Sequence, residues 1–415
     1  MSEAKERCRR RDDCRLCGSL DMENVLSLTP SPPANAFVQD PDQIQTAYPL
    51  DLRLCSNCTH LQLSVVVDPS LMFENYVYVS GTSPSFVRHF KDYAQSVISD
   101  FGLGSGDLVV DIGSNDGTLL GFFKSSGMNV LGIDPARRIA HSASEAGIDT
   151  WPTFFDSNSA DRIVDERGSA RCVTANNVFA HIDDLSGVVS NIKKTLSNDG
   201  VFVFEVSYLV DVLEKTLFDT IYHEHLDYHS VSPLVPFFEK HGMELIDARR
   251  ITTHGGSIRC VVQLQGGPHA RTSRVDEILS LETGHNLGSA ETYRALGRKI
   301  DAVRDELKQL LETLQRDGNR IAGFGAPAKA TTLMYHFGLG PDTIEFIVDD
   351  SPLKQGLFSP GLHVPVLPAS ELYQRNPNYV VILAWNFADP IMQNHSKFLA
   401  SGGHFIVPLP KIAVH

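Results

Sequence analysis

The sequence predicts an α/β chain in which a small metal-stapled module precedes two parallel sheets covered by helices. Three observations predict it. Two Cys-x2-Cys knuckles, Cys14/Cys17 and Cys55/Cys58, lie near the N-terminus. An apolar run ending in an acid, Val109-Val110-Asp111, leads through the small-residue turn Gly113-Ser114-Asn115-Asp116-Gly117 into an apolar helix start at Thr118, and the next apolar run closes on Asp134. The strand, glycine turn and helix recur from Ile321 to Ala330, and Glu345-Phe346-Ile347-Val348 again runs into acids, Asp349 and Asp350. Apolar strands alternating with helices indicate a parallel sheet buried on both faces.

Composition bounds the reading. A chain of 415 residues holds two or three domains with real cores, and 42% apolar with 21% charged residues is globular. Acids outnumber bases by 50 to 36, a net charge of -14 that argues against nucleic acid and favours a small-molecule partner. Neither a charged and apolar leader nor eighteen uninterrupted apolar residues is present, so a cytoplasmic protein with no membrane association is expected. Sequence says nothing of oligomeric state.

In chain order, each knuckle turns two thiolates to one side of a tight loop, and two knuckles supply a tetrahedral zinc site. Four sulfurs leave no open coordination position, so zinc bound by Cys14, Cys17, Cys55 and Cys58 is expected to be structural. His60 and Cys8 are less aptly spaced alternatives, and no strand-helix context supports a redox pair. Pro30, Pro32, Pro33 and Pro41 between the knuckles suggest an extended excursion. Phe86, Phe90, Tyr93, Ala94, Val97 and Ile98 mark an amphipathic helix. Strands follow at Asp111, Ile133, Val173-Thr174 and Val201 to Val206, then a hairpin of Met243 to Arg250 and Ser257 to Leu264 around Gly255-Gly256. Tyr293, Leu296, Ile300, Val303, Leu307, Leu310 and Leu314 line one face of a connector helix that Gly318 ends. Strands at Ile321, Glu345, Val380 to Leu383 and Phe405 to Val407 complete a second Rossmann-like unit. The expected organisation is a zinc-binding module over 1–75, a ligand-binding domain over 76–284, a connector over 285–319 and a C-terminal Rossmann-like domain over 320–415.

The first turn lacks the third glycine of a dinucleotide fingerprint and carries Asp111 and Asp116, which a pyrophosphate would repel and a cationic, phosphate-free ligand would tolerate. It resembles motif I of the class I methyltransferases, which implies S-adenosylmethionine as cofactor, bound at Asp111, Gly113, Ser114, Asn115 and Gly117, with Asp134 on the ribose hydroxyls. In the second turn Gly325 permits close approach and Lys329 adds positive charge at a helix start, which suits an anion such as the pyrophosphate of a sugar nucleotide; NAD stays open there. Between the units, Tyr222-His223-Glu224-His225-Leu226-Asp227-Tyr228-His229 is dense in groups suited to proton transfer, and one of its histidines can act as a general base. His-x-His metal ligation is a rival with weaker support.

Together with Tyr76-Val77-Tyr78, Ser80-Gly81-Thr82-Ser83, Asn176-Asn177-Val178-Phe179-Ala180-His181 and His254-Gly255-Gly256-Ser257-Ile258-Arg259, these segments resemble, in order along almost the whole chain, the sugar-nucleotide C-methyltransferases. The resemblance implies a zinc module, a central class I methyltransferase domain and a C-terminal domain that helps hold a nucleotide-linked ketosugar. It further implies His225 as the base, Glu224, Tyr222 and Tyr76 around the reacting sugar, Tyr78 and His181 in the substrate site with Gly325 and Lys329, and Asn176 and Asn177 along the cofactor. Asp227, Tyr228 and His229 stand where the family more often has Ser and an aromatic. An NAD(P)-dependent sugar-nucleotide oxidoreductase using the second turn is the alternative, and a non-catalytic zinc-knuckle protein is a third.

Overall fold

The computed structural model describes residues 7–73, 81 and 84–415. Its N-terminal strands β1 (Cys8–Arg10), β2 (Met22–Ser31), β3 (Tyr48–Cys55), β4 (Leu61–Leu63) and β5 (Val65–Val67) pair antiparallel, β1 with β5 and β2 with β3 with β4. In β3, buried Tyr48, Leu50, Leu52 and Leu54 alternate with Pro49, Asp51 and Arg53, the period of a half-buried strand. The expected excursion between the knuckles is thus largely the β2–β3 pair, and Pro32, Pro33 and Pro41 lie in the connection.

Helix α1 (Pro84–Phe101) leads into the central sheet: β6 (Leu108–Ile112), β7 (Asn129–Ile133), β8 (Thr150–Trp151), β9 (Ala170–Asn176), β10 (Leu196–Ser207), β12 (Met243–Ile251) and β13 (Ser257–Leu264), with the short β11 (Asp227–Tyr228) outside it. The strand order is β8-β7-β6-β9-β10-β13-β12, and only β13 is reversed. Alternate side chains of β6 fill opposite cores: Val109 joins Phe90 and Tyr93 of α1 and Phe123 of helix α2 (Thr118–Ser125), whereas Val110 and Ile112 join Leu131, Val173 and Phe204.

Helix α3 (Ala290–Arg316) buries Tyr293, Leu296, Ile300, Val303, Leu307, Leu311 and Leu314; Leu310, expected on that face, is only partly buried, because Leu311 is the residue one full turn beyond Leu307. Gly318 follows with φ +82°. The last sheet, β14 (Ile321–Phe324), β15 (Ile347–Val348), β16 (Val366–Leu367), β17 (Tyr379–Ile382), β18 (His404–Val407) and β19 (Ala413–Val414), has the order β16-β15-β14-β17-β18-β19, parallel except for β19. Helix α4 (Ala328–Phe337) follows β14 and lies against β2. Both parallel sheets reverse their winding next to the first strand, between β6 and β9 and between β14 and β17, and crevices for ligands open at such points. Among the described residues no helix is long and apolar enough to cross a membrane.

Two contacts tie the units together at β11. It pairs antiparallel with β4, Asp227 opposite Gln62 and Tyr228 opposite Leu61, so the segment after His225 is a fourth strand of the N-terminal sheet. Upstream of it, the turn Phe218–Thr220 lies against α4.

Candidate active site

The knuckles are built alike. Gly18 follows Cys17 with φ +76° and donates its N–H to the Cys14 carbonyl; Thr59 follows Cys58 with φ +66° and donates to the Cys55 carbonyl, each at 2.9 Å. The sulfurs of Cys14, Cys17, Cys55 and Cys58 all lie within 4.8 Å of one another, with Cys14–Cys58 at 3.6 Å and Cys17–Cys55 at 3.5 Å. Sulfurs held about 2.3 Å from one ion at tetrahedral angles are about 3.8 Å apart, so the set fits zinc. His60 is not among these ligands: its Nε2 lies 2.7 Å from Asp227 Oδ1, and both side chains are buried.

At the first switch point, Gly113 has φ +69°, and a Cβ there would stand 2.3 Å from Val178 Cγ2; Gly117 has φ +75° and abuts Ile148. Asn115 is left-handed too, at φ +51°. Asp134 fastens the turn, its carboxylate accepting from the N–H groups of Asn115 and Ala136 at 2.8 Å each. Asp116 accepts from the N–H of Thr118 and of Gly81. Beneath the turn Asp111 accepts from the Thr174 hydroxyl at 2.6 Å and is buried. On the facing strand, both side-chain polar atoms of Asn176 are buried with no partner among the described residues, as is Ser114 Oγ, and Asn177 is left-handed at φ +56°. A crevice with orphaned amide and hydroxyl groups and two buried carboxylates fits a polar, cationic, phosphate-free cofactor.

Burial pushes the Asp111 carboxyl up to about 7; the Thr174 hydroxyl opposes this and the Asp134 charge adds to it. A carboxyl whose folded pKa is raised binds its proton more tightly folded than unfolded. The fold therefore loses stability as pH rises from about 4 towards 7, with no further loss above that. Asp111→Asn is expected to raise the melting midpoint of the ligand-free protein by several degrees at pH 8 and by much less at pH 5. Equal shifts in melting curves at the two pH values would refute this.

In the 222–229 segment, the structure divides the histidines. His223 is buried, its Nε2 3.3 Å from the Tyr48 carbonyl, and His229 is buried against Phe179 with ring centroids 5.3 Å apart. Burial pushes both down to about 4, so they are neutral core residues. His225 belongs to a column of rings: Phe73 on His181 at 5.6 Å, His181 on His225 at 5.1 Å, and His225 on Tyr222 at 4.1 Å between centroids. Its Nδ1 is 2.7 Å from the Thr220 carbonyl; a carbonyl only accepts, so Nδ1 carries a proton and the basic lone pair of the neutral ring is on Nε2. Burial, with the neighbouring charge of His225, holds His181 well below the usual imidazole range. Glu224 is buried, and its Oε1 accepts from the side-chain amide of Asn35 at 2.7 Å.

Tyr76 and Tyr78 lie outside the described residues. Gly325 has φ +86° at the second switch point, and Lys329 pairs there with Asp219 at 3.5 Å. Sequence reasoning missed Asn35, Asp219 and Trp385. Only Asn35 had a local signal, a polar residue after the rigid Pro32-Pro33 pair.

Domain families match three successive stretches: a zinc binding domain over residues 14–73, a methyltransferase domain over 86–248 and a C-methyltransferase C-terminal domain over 252–410. The C-methyltransferase NovU of Streptomyces niveus is 36% identical over 402 residues, covering 96% of each chain. Among solved structures, an S-adenosylmethionine-dependent methyltransferase from Clostridium acetobutylicum is 14% identical over 43% of this chain and 92% of that one, at a TM-score of 0.36. Magnesium protoporphyrin IX methyltransferase from Synechocystis is 16% identical over 43% and 83%, at a TM-score of 0.34. With its zinc-binding cysteines, its two Rossmann-like sheets and a relative matched over 96% of both chains, the chain belongs to the S-adenosylmethionine-dependent C-methyltransferases that carry an N-terminal zinc-binding domain.

Proposed function

We propose that the chain methylates a carbon beside the ketone of a nucleotide-linked ketosugar, with His225 as the base. The observation that carries the reading is the hydrogen bond from His225 Nδ1–H to the Thr220 carbonyl, which puts the basic lone pair on Nε2 in a column of rings at the mouth of the central sheet. Carbon is nucleophilic only where a neighbouring carbonyl acidifies its proton, so the reaction needs a base and a holder for the enolate oxygen. His225 Nε2 takes that proton. Glu224, oriented by Asn35, Tyr222 and the expected Tyr76 and Tyr78 hold the sugar oxygens, and neutral His181 supports the imidazole without adding a competing charge. Ser114, Asn115, Asp134, Asn176 and Asn177 hold the cofactor in the crevice whose floor Gly113, Gly117 and Asp111 shape. S-adenosylmethionine, when bound, supplies an electrophilic methyl group. The C-terminal unit, turned at Gly325, holds the nucleotide end of the substrate.

The test is to incubate the protein and S-adenosylmethionine with a panel of nucleotide-linked ketosugars and to locate the product methyl by NMR. A new carbon-bound methyl beside the ketone of one member is expected. An oxygen-bound methyl, or turnover that requires NAD, would reject the reading.

A further inference from the structure

The second switch point holds a carboxylate of the chain itself. Asp219, wholly buried just before the 222–229 segment, accepts from Trp385 Nε1 at 2.6 Å and lies 3.5 Å from Lys329 Nζ, and that ammonium group stands 4.5 Å over the Trp385 ring. Lys329 is in the first turn of α4, and Trp385 comes just after β17, so the two residues flank the point where the sheet reverses its winding.

The neighbours of Asp219 are gripped as well. Phe218 stacks on Phe337 of α4 at 5.1 Å, and the Thr332 hydroxyl of α4 donates to the Ile221 carbonyl at 2.8 Å. Residues 218, 219 and 221 are thus held by the C-terminal unit, and the residue among them, Thr220, presents its carbonyl to His225 Nδ1. A carboxylate without water around it is tolerated where a cation and a donor face it, and here both come from the C-terminal unit.

We propose that Lys329, Asp219 and Trp385 form a positioning clamp through which the C-terminal unit fixes the direction and tautomer of the His225 imidazole. Lys329 therefore serves a carboxylate of this chain and not a substrate phosphate. The clamp's importance for turnover rests on His225 being the base; its effect on the ring does not.

The experiment is histidine nitrogen NMR on the 15N-histidine-labelled full chain, with the His225 signals identified from H225Q, alongside kinetics on a ketosugar from the panel. In the native protein His225 should show the Nδ1–H form, in K329M it should lose it, and in K329R it should regain it. K329M should lower kcat by about 10- to 100-fold, as expected for a base misplaced by about 1 Å, with KM for the nucleotide sugar changed less than about twofold. Where K329M fails to fold, K329M/D219N removes both charges together and makes the same comparison. His225 signals unchanged in these variants would overturn the clamp, and so would a KM raised about tenfold at unchanged kcat. If H225Q turns over at the native rate the base assignment falls, while the NMR result still judges the clamp.

Discussion

His225→Ala is expected to lower methyl transfer by about 10²- to 10⁴-fold, the usual contribution of a positioned general base, while S-adenosylmethionine binds within about twofold of its native affinity. The two effects separate because the residues proposed to hold the cofactor, Gly113 to Gly117, Asp134 and Asn176, lie at the carboxyl ends of β6, β7 and β9, whereas His225 follows β10 and accepts its direction from Thr220. The neighbouring histidines are poor substitutes. Burial keeps His223 and His229 neutral down to about pH 4, and His181 is pushed in the same direction. Single-turnover assays with saturating cofactor, paired with calorimetry, check the prediction. Undiminished transfer by the variant would remove His225 from the reaction.

How much of this was legible in the sequence depended on sequence separation. The knuckles and the glycine turns are local, since a Cys-x2-Cys turn or a strand, turn and helix is specified by a few adjacent residues, and both stand where the spacing puts them. Asp134 was legible because an apolar strand runs into it; that its carboxylate also ties the turn through the Asn115 N–H appears only in three dimensions. The 222–229 segment shows the limit. Its three histidines look alike in sequence, yet the pairing of β11 with β4 buries the segment against the N-terminal sheet and leaves His225 beside the site. Asn35 with Glu224, His60 with Asp227 and Trp385 with Asp219 join residues 189, 167 and 166 positions apart, where no local pattern reaches. The Leu310 and Leu311 exchange is of another kind: a helical stripe drifts over 27 residues, and periodicity alone places each end to within about one residue.

Removal of zinc is expected to abolish transfer by unfolding the module, although four thiolates leave the metal no open position for a substrate. Structural zinc in small domains contributes about 10–16 kcal/mol of apparent binding free energy, as much as the whole stability of many domains, so a module closed by four cysteines should not survive its loss. The damage would pass to the site by at least two routes. Asn35, in the connection between β2 and β3, would release Glu224. Loss of β4 would free β11 and the His60–Asp227 pair, unfastening the chain two residues after His225. The glycine turn after β6 is braced from within the central sheet, by the Asp134 carboxylate. Cys55→Ser, or treatment with a strong chelator, should therefore bring loss of turnover in step with zinc release and an early thermal transition, with S-adenosylmethionine binding outlasting both. A metal-free protein with native melting and native turnover would mean that the four sulfurs hold the module without an ion, and a native melt with lost turnover would place the metal in the chemistry instead.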